Sequence, residues 1–441
     1  MKILLLMHSL SAGGAERAAC TLANFWASQG REVTIVTLAP VSADFYPLER
    51  RIMRLSLHLA GESRHALHGL WQNVRRVVAL RRLLRSLRPQ IALAMMSTPN
   101  VLLALASRSL PALRTIGSER CYPPHAPLGR LWHGLRRTQY GRLSAMVALT
   151  GECAHWIETR TSASRVVVIP NAIAWPLPDN PPRRSLAKLC HPQRKRLLAV
   201  GRLEPVKNFD ALIFAFQRLA GAFPDWDLVI LGDGPERARL ASTINRLGLA
   251  QRVAMPGVAG NIAQWYGQAD LFALTSHSEG FPNVLAEAMA HGVPAVSVDC
   301  DTGPRDIIRH GIDGLLVPPN DAAALSDALA RVMGDAVFRK QLATRSVQAI
   351  ERFSIEKIGQ MWEMLFLDLC GSQALAVEGT HAASHGGQRT DECTDECTDE
   401  RTDERTDERA AVSHTERHAC SHTGSDAGSH RPAPGGSAYA P

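Results

Sequence analysis

The feature that most constrains this chain is an alternation of short apolar runs with amphipathic helical stretches, repeated in two series. In the first, Ile3–Met7, Val33–Leu38, Ile91–Met96, Arg114–Gly117, Met146–Leu149 and Val166–Ile169 read as buried strands. Helical patterns such as Glu16–Gln29 and Val74–Leu87 fill the gaps. Runs that are apolar at every position suit strands covered on both faces, as in parallel sheets with helical crossovers. The second series is Leu197–Val200, Leu228–Leu231, Arg252–Met255, Leu271–Leu274, Ala295–Val298 and Leu315–Val317. Between the two, Pro170, Pro176, Pro178, Pro181, Pro182 and Pro192 break the pattern, a density that no helix or central strand accommodates. The expected fold class is therefore α/β: two doubly wound, Rossmann-like domains joined by a proline-rich linker. Ligands in such sheets bind beyond the carboxyl ends of the strands, so the cleft between the domains is the expected site.

The end of the chain is different material. Residues 390–409 read Thr-Asp-Glu-Cys twice and then Thr-Asp-Glu-Arg three times, with Gly, Ser, His and Pro around them. So few large apolar residues cannot offset chain-ordering entropy, and a disordered tail over 372–441 is expected. Its histidines (381, 385, 414, 418, 422 and 430) and cysteines lack regular ligand spacing. From Ser372 onward there are 13 acidic and 6 basic residues, a net of −7; the whole chain is +7, so residues 1–371 carry +14. A body this basic calls for a polyanionic ligand or an acidic surface.

Nine cysteines (20, 121, 153, 190, 300, 370, 393, 397 and 420) form no Cys-x-x-Cys pair, which points to free thiols in a reducing cytosol. No apolar run approaches the ~18 residues of a membrane-spanning helix. Met1-Lys2 with Ile3–Met7 superficially resembles a signal peptide, but its apolar core is short of the ~7–15 residues required and His8 interrupts it. It reads as a first strand.

Three segments carry chemistry. Ser11-Ala12-Gly13-Gly14-Ala15-Glu16-Arg17 opens a helix after the first strand; paired glycines admit a ligand close to the backbone, and a helix N-terminus favours an anion. Without Gly-x-Gly-x-x-Gly spacing it is not a dinucleotide fingerprint, and a plain tight turn fits it equally well. Gly201-Arg202-Leu203-Glu204-Pro205-Val206-Lys207-Asn208 sets two cations on a loop leaving a parallel strand, Arg offering a planar fork and Lys a mobile point charge, a combination suited to a pyrophosphate. In Ser276–Ala290, Glu279 and Glu287 have seven residues between them. Gly280, Phe281, Pro282 and Asn283 turn the chain into a helix, with Pro282 suited to its first turn. Glu279 then lies on the loop and Glu287 about a turn deep, with the amides of Asn283, Val284 and Leu285 aimed at an anion between them.

Together these segments resemble the retaining glycosyltransferases of family 4, which have the GT-B fold. The resemblance covers roughly residues 2–365 and rests on Gly13–Arg17, Gly201-Arg202 with Lys207, Gly232-Asp233-Gly234-Pro235-Glu236, Glu279 to Glu287, and Asp301–Ile308. The opening and the Asp299–Pro304 stretch are most similar to bacterial N-acetylgalactosaminyl and hexosyl transferases of lipid-linked oligosaccharide and exopolysaccharide synthesis. The resemblance implies an acceptor domain over 1–170, a linker over 171–193 and a nucleotide-sugar donor domain over 194–353. A helix over 354–371 would pack back toward the first domain. Arg202 and Lys207 would hold the donor pyrophosphate, Glu279 the transferred sugar, Glu287 the ribose and Gly14 the phosphate or acceptor. Gly201, Gly280, Phe281, Pro282, Asn283, Val284 and Leu285 would line the donor site, and Val253–Gly257 would lie beside the base. UDP is the implied carrier, and leaving-group stabilisation would be electrostatic.

One departure stands out. Where many relatives carry a histidine after the fourth or fifth strand, this chain reads Ser118-Glu119-Arg120-Cys121. Arginine cannot act as a base at neutral pH, so Glu119 or Arg120 is expected to bind rather than transfer a proton. Asp225-Trp226-Asp227 and Asp299-Cys300-Asp301 match the metal-binding triplet of the other major transferase fold, a pattern that arises easily by chance. The expected reaction needs no metal or other cofactor.

Six arginines fall within residues 75–88, on a helix whose apolar positions 74, 77, 78, 84 and 87 form one stripe. An ordinary packed helix with a solvated basic face accounts for this; so does a face that meets anionic lipid or a polyprenyl pyrophosphate. The expectation is thus a cytoplasmic enzyme held peripherally on the inner face of the cytoplasmic membrane, using a nucleotide-sugar donor and a polyprenyl-pyrophosphate-linked or polysaccharide acceptor. No nucleic-acid partner is expected. A silent membrane-associated scaffold and a nucleotide-sugar epimerase of the same fold are the alternatives.

Overall fold

The structure is a computed structural model that describes residues 1–11, 13–61, 66–185, 191 and 193–383. Two parallel sheets organise it. In the first half β1 (Lys2–Met7), α1 (Gly14–Ser28), β2 (Glu32–Thr37), β3 (Met53–Ser56), α2 (Ala66–Leu87), β4 (Ile91–Met95), α3 (Ser97–Ala106), β5 (Arg114–Ser118), α4 (Arg130–Gln139), β6 (Ala145–Ala148), α5 (Gly151–Arg160) and β7 (Val166–Val168) follow one another. Their sheet runs in the order β3-β2-β1-β4-β5-β6-β7. The second half comprises β8 (Lys195–Val200), α6 (Phe209–Leu219), β9 (Trp226–Leu231), α7 (Arg237–Arg246), β10 (Val253–Gly257), α8 (Ile262–Tyr266), β11 (Leu271–Leu274), α9 (Asn283–Ala290), β12 (Ala295–Val298), α10 (Pro304–Ile307), β13 (Gly314–Val317), α11 (Ala322–Gly334), α12 (Ala336–Ser346) and α13 (Ala349–Arg352). Its sheet order is β10-β9-β8-β11-β12-β13.

The continuous apolar runs are explained by what lies on each side. Along β1, Ile3, Leu5 and Met7 enter one core cluster while Leu4 and Leu6 enter another. Along β9, Leu228 and Ile230 face one cluster while Val229 and Leu231 face another. Each sheet reverses its strand order once, at β1/β4 and at β8/β11. The carboxyl ends of those strands are where such folds hold ligands.

β3 is the strand that the apolar runs do not announce. Its sequence Met-Arg-Leu-Ser pairs only with β2 at the sheet edge, with no residue of it fully buried. The rotation of α2 also departs from expectation. Leu80 and Leu84 are buried, whereas Val74 and Val78 join Leu70 and Trp71 on the exposed face. Arginine contacts set this rotation: Arg76 donates to the carbonyls of Leu59 and Gly61, and Arg81 to those of Leu105 and Ala106.

The proline-dense segment lies against the second half rather than spanning freely. Asn180 N donates to the Gly260 carbonyl at 3.1 Å, Gly260 N donates to that of Pro182 at 2.8 Å, and Ile173 and Leu177 enter a core cluster of the second half. The last helix, α14 (Ile355–Ala383), extends past the expected end at 371. Residues 384–441, with the four-residue repeats, Cys393, Cys397 and Cys420, lie outside the described residues, as do Ala12, Cys190 and Pro192.

Ile358, Trp362, Leu365, Phe366 and Leu369 follow a helical period and bury into the first half's core. There Trp26 meets Trp362 edge-on at 6.0 Å and Phe366 at 5.3 Å between ring centroids. The second half is thereby tethered to the first by aromatic packing as well as by the linker. Trp362→Ala is expected to cost about 3–5 kcal/mol, read as a lower urea midpoint by circular dichroism.

Candidate active site

In the second half the site grows from the strand-order reversal. β8 ends at Val200 and leads into Gly201–Lys207; β11 ends at Leu274 and leads into Ser276–Glu279. The loops are tied together, His277 N donating to the Val206 carbonyl at 2.8 Å and Thr275 Oγ1 to that of Lys207 at 3.1 Å. The Gly232–Pro235 turn supports them from behind. Gly232 has φ +139°, and a Cβ there would sit 1.9 Å from the Gly201 carbonyl oxygen, so no side chain fits. Held this way, Lys207 Nζ lies 2.6 Å from Glu279 Oε1, which also accepts from Ser276 Oγ at 2.6 Å. Glu279 Oε2 has no hydrogen-bond partner among the described residues. Arg202 stands apart: its side chain is 75% exposed and pairs with Glu204 at 3.0 Å.

α9 follows directly. The amide of Leu285 is taken by the Pro282 carbonyl at 3.0 Å, so it is not one of the donors the sequence suggested. Those of Asn283 and Val284 find no acceptor among the described residues, as the first amides of a helix do unless capped. Phe281 and Leu285 are core residues, Phe281 packing edge-on against Phe353 at 5.3 Å, so only their backbone can face a ligand. Pro282 is also buried. At Gly280 the first half's backbone comes close: a Cβ would lie 2.6 Å from the Arg120 carbonyl oxygen. Gly257 ends β10 at φ +88°, with Arg237 and Arg184 beside it.

Glu287 is 2% exposed. Tyr266 Oη donates to its Oε2 at 3.2 Å, and the Arg17 guanidinium from α1 pairs with its Oε1. The carboxylate holds the Arg17 proton more firmly than usual, and burial followed by the same charge raises the Tyr266 hydroxyl well above its ordinary range. Gly14 lies beside Asn283, whose Oδ1 accepts from Asn171 at 3.0 Å.

On the first half's side, a cavity of about 650 Å³ opens at the ends of β1 and β4, lined by His8, Arg76, Met96, Ser97, Cys121 and Trp132. Glu119 is not part of this lining. It is fully buried beneath it, accepting from Ser97 Oγ and Tyr140 Oη, with burial raising its carboxyl. A substrate cannot touch it in this arrangement; it braces the start of α3. Arg120 is buried as well, bonded to Asn171 at 3.0 Å, its guanidinium brought down to about 10 by burial.

A histidine does reach the cleft from this side. His125 Nδ1 lies 2.6 Å from Ser278 Oγ, and Nε2 lies 3.2 Å from Asp301 Oδ2. It stands six positions beyond Glu119, on a loop whose course the sequence does not disclose. Both Asp-x-Asp triplets are engaged: Asp225 pairs with Lys195, Asp227 with Arg194 and Arg252, and Asp299 with Arg305, while Asp301 lies 3.2 Å from His125 Nε2.

Residues 12–174 match the family Glycosyltransferase Family 4, and residues 186–348 match Glycosyl transferases group 1. The chain is 27% identical over 372 residues to a Campylobacter jejuni protein, GalNAc-α-(1→4)-GalNAc-α-(1→3)-diNAcBac-PP-undecaprenol α-1,4-N-acetyl-D-galactosaminyltransferase, covering 84% of this chain and 99% of that one. The chain belongs to the family 4 glycosyltransferases. It is also 40% identical over 231 residues to an exopolysaccharide phosphotransferase of Streptomyces coelicolor; that match spans 52% of this chain and 24% of the relative. Among solved structures, Anabaena HepE in complex with UDP superposes with a TM-score of 0.67 at 20% identity, covering 83% of this chain and all of that one, a likeness of fold. The fold of this transferase is GT-B, two Rossmann-like domains.

Of the residues expected to act together, the fold gathers Lys207, Glu279, Gly280, Asn283, Val284 and Glu287 around the start of α9, with Gly14 opposite. Gly201 lies behind Lys207, and Arg202 and Glu119 are placed elsewhere. Arg17, Tyr266, Ser276 and His125 are the contacts the sequence reading missed. Arg17 and Ser276 stood within quoted stretches with no role assigned; Tyr266 and His125 carry no local signal.

α10, which follows β12, meets α5. Arg305 lies 3.6 Å from Glu152, and Asp306 is pushed up to about 6, first by burial and then by the Glu152 charge. A raised carboxyl contributes stability that is full below its unfolded value of 3.8 and lost as the pH rises through about 6. Asp306→Asn is therefore expected to melt above wild type at pH 7.5, an advantage that shrinks by pH 5 in paired thermal-unfolding curves.

Proposed function

We propose that this glycosyltransferase moves a hexose or N-acetylhexosamine from a UDP-sugar, with retention, to a lipid-linked or polysaccharide acceptor in cell-surface glycan synthesis. The observation that carries the reading is the start of α9. Two unpartnered amides lie between a carboxylate anchored through one oxygen, Glu279, and a buried carboxylate, Glu287. A diphosphate suits the amides and Lys207, since preorganised donors stabilise charge that grows on a leaving group. The free Glu279 Oε2 suits a hydroxyl of the transferred sugar, and Glu287 a ribose diol. The acceptor hydroxyl then enters from the cavity beside His8 and Trp132, on the face the diphosphate leaves. The Campylobacter relative's name specifies an undecaprenol-linked glycan and the HepE structure holds UDP, which supports these choices. Lys207 and the amides supply the positive potential, so the reaction is read as metal-independent.

Thermal shift of the full chain against UDP, GDP, ADP and their sugars tests this. A nucleotide at about 100 times its Kd stabilises by ~2.7 kcal/mol. A selective shift with UDP or a UDP-sugar is expected, lost in Glu287→Ala, while Lys207→Ala is expected to cut turnover by about 10²–10³. Stabilisation by no nucleotide would favour a scaffold, and turnover abolished by a chelator and restored by manganese would overturn the metal-independent step.

The partner surface is proposed from α2. Leu70, Trp71, Val74 and Val78 lie exposed along it together with Arg75, Arg82 and Arg85, and the Arg75 guanidinium sits 4.6 Å from the Trp71 ring centroid. No helix among the described residues is long and apolar enough to cross a membrane. An exposed apolar stripe flanked by arginines suits the headgroup boundary of an anionic leaflet, here the inner face of the cytoplasmic membrane. Flotation with anionic liposomes is expected for wild type and lost on changing Arg75, Arg82 and Arg85 to Glu; flotation indifferent to those changes would remove this partner.

A further inference from the structure

Arg17 reaches from the first helix of the chain across the cleft to Glu287, 270 positions away. The start of α1 runs close beside α9 here, where a Cβ on Gly14 would stand in ordinary contact, 3.4 Å, with Asn283 Nδ2. Both Glu287 oxygens are engaged, one by Arg17 and one by Tyr266, and the carboxylate is nearly inaccessible. A ribose diol can donate hydrogen bonds to Glu287 only where Arg17 gives up its position.

That exchange has an electrostatic consequence. A diol is neutral, so it releases a partly buried guanidinium that then needs another anion, because an uncompensated charge in such a place is strongly unfavourable. The donor brings one. Asn283, with its unpartnered amide, precedes Glu287 by four residues on α9, about 6 Å along the helix axis and within the swing of an arginine side chain. Charges also balance: Arg17 with Glu287 and Lys207 with Glu279 make two neutral pairs, and a diphosphate supplies negative charge for both cations to share.

We infer that Arg17 is a donor-binding residue that exchanges partners, yielding Glu287 to the ribose and moving to the diphosphate, so that the two halves grip the leaving group together. The inference rests on the reading of Glu287 as the ribose ligand. It makes the contribution of Arg17 opposite in sign for two parts of the same ligand: a competitor of the nucleoside and a partner of the diphosphate.

Isothermal titration of the full-length wild type, Arg17→Ala and Arg17→Gln with uridine and with UDP tests this. Both variants are expected to bind uridine more tightly than wild type, since the Arg17 charge no longer holds Glu287 Oε1. Both are expected to bind UDP about tenfold to a hundredfold more weakly, the range for a lost charged hydrogen bond. Arg17→Lys is expected to recover part of the UDP affinity. Equal weakening for uridine and UDP would mean that Arg17 only clamps the halves together, and unchanged UDP affinity would mean that it never reaches the diphosphate; either overturns the exchange. Arg17→Gln keeps a hydrogen-bonding amide near Glu287, so the test survives if the alanine variant folds poorly. Wild type that binds neither ligand would overturn the nucleotide reading itself, and the exchange with it.

Discussion

A carboxylate that is 2% exposed must be paired, and Glu287 finds its cation on the other half of the chain. Much of the cleft's geometry follows from that requirement. The start of α1 comes alongside the start of α9, so that a Cβ at Gly14 would be in contact with Asn283. A little further along, Gly280 admits the backbone at Arg120. Asn171 completes the seam by reaching both Arg120 and Asn283. Polar contacts thus join the two halves at the cleft, beside an apolar cluster of the second half that Leu149 of the first half enters.

α9 serves both the core and the cleft. Leu285, Ala286, Ala288 and Met289 anchor it in an apolar cluster, while Asn283, Val284 and Glu287 present backbone and side-chain groups toward the other half. A helix fixed on one side by close packing can hold unpartnered amides in a constant direction, which is the preorganisation an anionic leaving group requires. The neighbouring loops gain rigidity from backbone contacts, with Gly232 letting its turn lie directly behind Gly201. Far from the cleft, Trp362 and Phe366 bind the chain's last described helix to the first half, so the relation of the halves does not rest on the cleft contacts alone.

Of the thirteen strands among the described residues, twelve were legible as apolar runs, because a strand buried on both faces is largely apolar. β3 escaped because an edge strand with one neighbour needs no such run. The rotation of α2 escaped for another reason: Val74, Val77, Val78, Leu80 and Leu84 allow more than one stripe, and the choice was made by Arg76 and Arg81 finding carbonyl acceptors on segments distant in sequence. Glu119 looked like a cleft residue from its position after β5, yet its side chain turns inward to Ser97 and Tyr140.

By itself the sequence determined the fold class, the two-sheet organisation and the residues around α9, since periodicity and short-range spacing are local properties of the chain. Only the tertiary structure decided which charges meet. It paired Arg17 with Glu287, brought His125 to Ser278 and Asp301, left Arg202 in solvent and buried Glu119. Those outcomes depend on how two independently patterned sheets approach each other, and the energy of an ion pair depends on distance and burial, neither of which is written in the spacing of residues along one segment.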